Sequence, residues 1–103
     1  MNETSEIKRR EKTIEVLKDR GLGAFADEIV NALIVGGHKP IDKYAERVEF
    51  YYGASAMEDI AWAEVKENCP KCWWDFIDVY RYAKHLEEVN EYEWTEHGAV
   101  LIL

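Results

Sequence analysis

The sequence predicts a mainly α-helical protein: a small single-domain bundle of about five helices with a C-terminal β-hairpin, which makes the class α+β. Three observations predict this. The 103 residues suffice for one domain with one modest core. Apolar residues recur at helical spacing over most of the chain, and Gly and Pro residues separate these stretches. After residue 90 the pattern changes to the alternation that is typical of strands.

Two helices are predicted in the first third of the chain. Ser5 is a suitable N-cap for a helix over residues 6–20, which Gly21 ends. The apolar stripe of this helix is thin, so we expect the helix to be peripheral. A second helix over residues 24–35 has a wide apolar face and is the most core-like segment. Its predicted buried residues are Phe25, Ala26, Ile29, Val30, Ala32 and Leu33.

Two further helices are predicted in the middle of the chain. Pro40 suits the first turn of a third helix over residues 40–52. The apolar face of this helix consists of Ile41, Tyr44, Ala45, Val48, Tyr51 and Tyr52. Ser55 and Glu58 have the spacing of a capping box for a fourth helix over residues 56–68. Its predicted buried face is Met57, Ile60, Ala61 and Val65.

The last third is predicted to contain one helix and the hairpin. Pro70 suits the start of a fifth helix that runs to about residue 89. Its predicted core face is Phe76, Val79, Tyr80, Ala83 and Leu86. Residues 91–103 then predict a hairpin with a two-residue turn at His97-Gly98. A lone hairpin is marginally stable, so it must dock on the helices or pair with a second chain.

Charge is distributed unevenly along the chain. The net charge is −8; residues 1–22 have six Lys/Arg and five Asp/Glu, and residues 23–103 have seven and sixteen, a difference of −9. The densest stretch, residues 85–96, holds five Glu. Such a field repels nucleic acid and acidic membranes and attracts basic surfaces. We therefore expect a protein partner with a basic surface and no direct binding to nucleic acid or to a membrane.

The location of the protein is predicted from the same features. The longest apolar run, residues 99–103, is too short to span a bilayer. The first residues are polar and acidic and do not resemble a secretion signal. We expect a cytoplasmic protein.

Aromatic and acidic residues form the candidate partner-binding surface. On the predicted helices, Phe50 and Trp74 lie among charged residues, opposite the apolar stripes. Trp94 alternates with Glu residues on the tail strand. Aromatic anchors surrounded by charge are typical of interfaces. The full predicted set is Phe50, Trp74, Glu87, Glu88, Glu91, Glu93 and Trp94.

The sequence Cys69-Pro70-Lys71-Cys72 leaves three interpretations open. A helix N-terminus favours the thiolate of a redox CxxC, but the thioredoxin type needs a preceding strand, and the segment before Cys69 predicts a helix. A zinc site with His85 conflicts with helix geometry, which separates Cys72 from His85 by about 20 Å, and His38 completes a set only through the tertiary fold. The third interpretation is a turn in which both Cys residues face the core.

Catalytic motifs are absent from the sequence. It has no nucleophile elbow, phosphate loop, HExxH or dinucleotide fingerprint, and its many paired carboxylates are most simply solvated helix faces. We therefore expect neither an enzyme nor a bound cofactor or metal.

The leading hypothesis is a small acidic, non-enzymatic protein that occupies a basic surface of a macromolecular partner. In composition alone the chain is similar to phage and plasmid anti-defence proteins, which include anti-restriction DNA mimics and anti-CRISPR inhibitors. This similarity implies inhibition of a nucleic-acid-processing enzyme by DNA mimicry or steric block. One alternative is a helical adaptor or homodimer that shares the strand formed by residues 100–103. The second alternative is a thiol or zinc protein centred on Cys69 and Cys72.

Overall fold

A computed structural model describes residues 3–103 and confirms the predicted α+β class. Within this range the chain forms five α-helices, two short 3-10 helices and one three-stranded antiparallel sheet. The α-helices are α1 (Glu3–Asp19), α2 (Ala26–Val35), α3 (Ile41–Ala45), α4 (Met57–Asn68) and α5 (Val79–Val89). The 3-10 helices cover Gly23–Phe25 and Lys71–Phe76, and the strands are β1 (Glu49–Tyr52), β2 (Glu91–Trp94) and β3 (Gly98–Ile102). No helix among these residues combines the length and hydropathy needed to cross a bilayer.

The sheet lies between two groups of helices. Side chains of successive residues in a strand point to opposite faces. Val100 of β3 packs into a core with residues of α1, α2 and α3, whereas its neighbour Ala99 packs into a second core with α4 and α5. The run of apolar residues in β3 is therefore explained by burial of both faces of the strand.

The predicted hairpin is present, but its loop is three residues long, not two, and Gly98 belongs to a strand, not to the loop. Its loop consists of the three residues 95–97, and Gly98 is the first residue of β3 and pairs with Tyr52 of β1. A side chain at position 98 would collide with the backbone oxygen of Tyr51, so only glycine fits there. The strand order is β1-β3-β2, which leaves β3 with both edges paired inside the chain. The prediction that residues 100–103 form a strand shared with a second copy is therefore wrong.

The predicted third helix is too long. The helix ends at Ala45, and four of its predicted residues instead form β1. The β1 sequence Glu49-Phe50-Tyr51-Tyr52 contains three aromatic residues, which suit a strand. In β1, Phe50 lies opposite Val100 of β3. A helix over the same residues would not form this strand pair. Tertiary pairing with β3 thus outweighs a pattern that fits a helix locally.

The fourth helix is confirmed, and so is its buried face of Met57, Ile60, Ala61 and Val65. The capping partner differs from the prediction. The Oδ2 atom of Asp59, not Glu58, accepts hydrogen bonds from the backbone N–H groups of Ser55 and Ala56, at 2.9 and 3.2 Å. The Ser55 hydroxyl donates to the same atom at 3.2 Å.

The predicted fifth helix is divided in two. The 3-10 helix ends at Phe76, and Asp78 starts α5 by accepting a hydrogen bond from the backbone N–H of Arg81 at 3.1 Å. The break moves Phe76 off the core face, and its side chain is 87% exposed. The buried stripe of α5 is also narrower than predicted, since Tyr80 is exposed. Val79, Ala83 and Leu86 are buried, as the sequence predicts.

The first helix begins before Ser5, so Ser5 is not its N-cap. Its C-terminal half packs against α2 and α3, where Leu17 is 0% exposed and Thr13 is also buried. Residues 5–12 of the helix are mostly exposed, and Ile7 is 55% exposed. The expectation of a peripheral helix thus fits only the N-terminal half.

Candidate functional site

A groove on the surface lies between α2 and the turn that joins β2 to β3, and its volume is about 680 Å³. We call it the acidic groove; its walls come from residues 24–35, Tyr52 and residues 93–97. These three segments are distant in sequence. They meet because β3 aligns β1 and β2 on its two sides, next to α2.

The charged groups that line the acidic groove are mainly carboxylates. Asp27 and Glu28 come from the first turn of α2, Glu93 from β2 and Glu96 from the turn. Among the residues that the structure describes, neither Lys nor Arg lines the groove. Arg10 approaches Asp27 to 3.6 Å from α1 and offsets part of this charge. The remaining negative field favours a cationic ligand.

Aromatic side chains form the apolar part of the acidic groove. The ring of Phe25 lies 4.7 Å from that of Phe50 and 5.0 Å from that of Tyr52, measured between centroids. Trp94 and Tyr52 are exposed. Aromatic faces beside carboxylates attract Lys and Arg side chains through cation–π contacts as well as charge.

A hydrogen-bonded contact holds the turn against α2. Oε1 of Glu28 accepts a hydrogen bond from the backbone N–H of His97 at 2.8 Å, and Nδ1 of the same His lies 3.0 Å from this oxygen. Oε2 of Glu28 is buried and has no hydrogen-bond partner among the described residues. The contact fixes the shape of the groove and leaves a carboxylate oxygen uncompensated in its wall.

Two groups of side chains in the described part of the chain have ligand atoms within 4.8 Å of one another, as metal binding requires. The first is Glu28, Glu96 and His97 in the acidic groove, and the second is His38, Glu91 and Glu93. Both groups lack Cys69 and Cys72.

The structure brings some of the predicted partner-binding residues together. Glu93 and Trp94 line the acidic groove. Glu91 lies two residues before Glu93 on the same face of β2, where it contacts His38. Phe50 packs beneath Phe25 and against the core that includes Val100, so it supports the groove without lining it.

The other predicted residues lie elsewhere. Glu87 and Glu88 are exposed on α5, outside the groove lining. Trp74 belongs to the 3-10 helix, not to the charged face of a continuous helix as predicted. Its indole N–H donates to the backbone oxygen of Cys69 at 3.1 Å, and its ring contacts Trp62 at 6.0 Å. Both contacts lie within the fold, at a half-buried position.

The two cysteines are free thiols. Cys69 is half-buried and Cys72 is exposed, so the interpretation in which both face the core is wrong. The helix that follows Pro70 is a 3-10 helix of six residues.

A second polar cluster lies on the opposite face of the sheet. The hydroxyl of Tyr51 donates to Oε1 of Glu64 at 2.5 Å. Burial, and then this hydrogen bond to a carboxylate, raises the pKa of Tyr51 above its ordinary value of 10.0. Burial likewise raises the pKa of Tyr82 and of Tyr92. A phenol with a raised pKa stays protonated at neutral pH, so this cluster acts as a structural network and not as a source of a phenolate base.

Sequence reasoning missed several residues of the acidic groove, namely Asp27, Glu28, Tyr52, Glu96 and His97. The local signals for them are weak: Asp27 and Glu28 are acidic residues at a helix start, which is common, and Glu96 lies in the acidic stretch 85–96. Neither a protein-family model nor a curated protein matches the sequence of this chain.

Proposed function

We propose that the protein is a non-enzymatic binding protein that receives a basic segment of a protein partner in the acidic groove. The observation that carries this proposal is the lining: four carboxylates and three aromatic rings, and no Lys or Arg among its described residues. A Lys or Arg side chain fits such a surface, because its charge meets the carboxylates while its methylene stem and head contact the rings. The proposal includes a cytoplasmic location, as the sequence analysis predicts.

The arrangement of the carboxylates in the groove also indicates how a partner would be bound. Asp27, Glu28, Glu93 and Glu96 converge on a concave surface and do not form an extended row. This arrangement favours capture of protruding basic side chains over imitation of a DNA backbone. Within the predicted inhibitor role, it supports steric block of a basic surface more than DNA mimicry.

The test uses a matched pair of charge variants. Asp27→Asn/Glu96→Gln removes two carboxylates from the groove, and Glu87→Gln/Glu88→Gln removes two from α5. Both variants lower the negative charge of the chain by the same amount. We expect the first to weaken binding of a lysine-rich peptide about fivefold, since each rim contact contributes roughly 0.5 kcal/mol, and the second to weaken it much less.

Binding is measured by titration calorimetry at low and high salt, with a glutamate-rich peptide as the negative control. Trp94→Ala, in the groove, is compared with Trp73→Ala, an exposed tryptophan on the 3-10 helix. Equal losses in the two charge variants would show that only net charge attracts the peptide, and the groove proposal would then be rejected.

A further inference from the structure

His38 lies between two carboxylates of β2. Its Nε2 atom is 2.7 Å from Oε2 of Glu91 and 3.4 Å from Oε1 of Glu93. The side chain of His38 is 10% exposed, and those of Glu91 and Glu93 are 60% and 27% exposed. A nearly buried imidazole nitrogen thus faces two carboxylates at a position that solvent reaches from the Glu91 side.

The chain holds the histidine in place from its own side. Gly37, with φ of +75°, turns the backbone at the end of α2. The backbone N–H of His38 then donates to the oxygen of Leu33 at 2.9 Å. The ring of Tyr44 packs edge-on against the imidazole, with 5.2 Å between centroids. The imidazole therefore has a defined orientation.

The sheet holds the carboxylates in place from the other side. Glu91 and Glu93 are two residues apart on β2 and so project from the same face. They pair in register with Ile102 and Val100 of β3, the central strand. Two carboxylates held side by side repel each other, and a cation between them offsets this repulsion.

The backbone of Gly36 closes the space around the three side chains. A Cβ atom at this position would overlap Oε1 of Glu93 and would lie 2.7 Å from both Cδ2 and Nε2 of His38. The imidazole is buried and cannot move aside easily. A glycine is therefore required for the histidine and Glu93 to converge.

We propose that His38, Glu91 and Glu93 bind a divalent transition-metal ion, with Zn²⁺ as the best match. One imidazole nitrogen and two carboxylate oxygens are Zn²⁺ ligands, at distances of about 2.0–2.2 Å. Ligands at these distances lie about 3–3.5 Å apart. The 3.4 Å between Nε2 and Glu93 lies in this range, and the 2.7 Å between Nε2 and the exposed Glu91 has to lengthen by a few tenths of an ångström. The ion compensates the two negative charges.

Three protein ligands leave a fourth position for water or for a donor from a partner. The imidazole selects Zn²⁺ over Mg²⁺, which prefers oxygen ligands alone. The site does not depend on the proposed binding of a basic segment, although Glu93 borders both.

The test measures binding of Zn²⁺ to the full chain by titration calorimetry after treatment with a chelator. We expect one site for which Glu91→Gln and His38→Gln each weaken the affinity at least tenfold. Glu91 is the better probe, because it is exposed and its loss leaves the core intact. Mg²⁺ in place of Zn²⁺ should bind at least a hundredfold more weakly.

Two control variants separate this site from the other candidate ligands. Cys69→Ser/Cys72→Ser removes both thiols, and Glu96→Gln removes a ligand from the group around His97. Both should retain the Zn²⁺ site with unchanged affinity.

The imidazole resonances of His38, assigned by comparison with His38→Gln, should shift on addition of Zn²⁺ and identify Nε2 as the bound nitrogen. The proposal is overturned if Zn²⁺ does not bind at micromolar concentration, or if Glu91→Gln binds it as tightly as the unaltered chain. It is also overturned if either control variant removes the site.

Discussion

The carboxylate of Asp59 stabilises the start of α4. Its hydrogen bonds to the backbone N–H groups of Ser55 and Ala56 satisfy donors that the helix itself leaves unpaired. The predicted capping box of Ser55 and Glu58 is wrong: the N-cap is Ala56, whose side chain cannot accept a hydrogen bond, and only the return bonds to the Asp59 carboxylate are present. This shift of one residue moves the third helical position from Glu58 to Asp59, and only the structure shows the shift.

At the scale of this residue, Asp59→Ala should lower the free energy of unfolding by about 0.5–1 kcal/mol, the usual range for a helix cap. The matched variant Glu58→Ala should have a smaller effect, and urea denaturation measures both. The backbone hydrogen bond from Ser55 lowers the pKa of Asp59 below its ordinary value of 3.8. The contribution of Asp59 to the free energy of unfolding is therefore present above pH 3.8, the ordinary pKa, and is lost as the pH falls through the lower pKa of the folded state. A larger loss in Glu58→Ala would contradict this capping arrangement.

At the scale of secondary-structure elements, α1 packs against α2 and α3 through few buried residues. Its stripe is thin, as the sequence indicates, yet Leu17 is fully buried among residues of α2 and α3. Leu17→Ala should cost about 2–5 kcal/mol, because it leaves a cavity in the core. Ile7→Ala in the exposed half should cost less than 0.5 kcal/mol.

Thermal and urea denaturation of these two variants test the docking of α1. Similar small losses for Leu17→Ala and Ile7→Ala would mean that the helix is not packed against α2 and α3 in solution.

Two other elements differ from the sequence prediction because of contacts that are remote in sequence. Tyr51 and Tyr52 fit a helical apolar arc, but residues 49–52 gain strand pairing from β3, nearly fifty residues later. The segment after Pro70 has a helical pattern, but Asp78 provides an N-cap at which α5 starts afresh. In both places local preference is close to balanced, and distant or capping contacts decide the outcome.

At the scale of the whole molecule, packing pairs much of the basic N-terminal segment with acidic residues. Arg9 and Lys12 of α1 lie 3.8 and 3.5 Å from the carboxylate of Asp42, and Arg10 contacts Asp27. Four carboxylates line the acidic groove, and Glu87 and Glu88 are exposed on α5. The uneven charge along the sequence thus becomes an uneven charge over the surface.

The tyrosines on the Ala99 side of the sheet predict how the stability of the whole fold responds to alkaline pH. Tyr51, Tyr82 and Tyr92 have raised pKa values in the folded state. In the unfolded chain they ionise near pH 10. Their contribution to stability is therefore complete below about pH 10 and is lost as the pH rises above it, because the unfolded state then binds fewer protons.

The free energy of unfolding, measured by urea denaturation, should accordingly fall as the pH rises above about 10. Tyr51→Phe should make this fall shallower, since it removes the tyrosine that donates to Glu64. Tyr80→Phe, which removes an exposed hydroxyl on α5, is the matched control. The same pH dependence in Tyr51→Phe and the unaltered chain would show that this phenol does not contribute.

The sequence by itself determined the elements whose signals are local. The wide apolar face of α2, the buried stripe of α4 and the alternation in β2 each lie within a dozen residues, and Gly or Pro residues lie near the ends of the two helices. It also indicated Glu93 and Trp94 as surface residues of interest. These signals suffice for the fold class, because an element with one apolar face must pack that face against the other elements.

Only the tertiary structure decided which residues meet. The acidic groove joins Glu28 to His97 across 69 residues, and the proposed metal site joins His38 to Glu93 across 55. Neither pair has a sequence spacing that predicts it, since its geometry depends on β3 lying between β1 and β2 and on α2 packing beside them. A binding site made from separate elements is a property of their packing, and packing is not encoded at any fixed spacing along the chain.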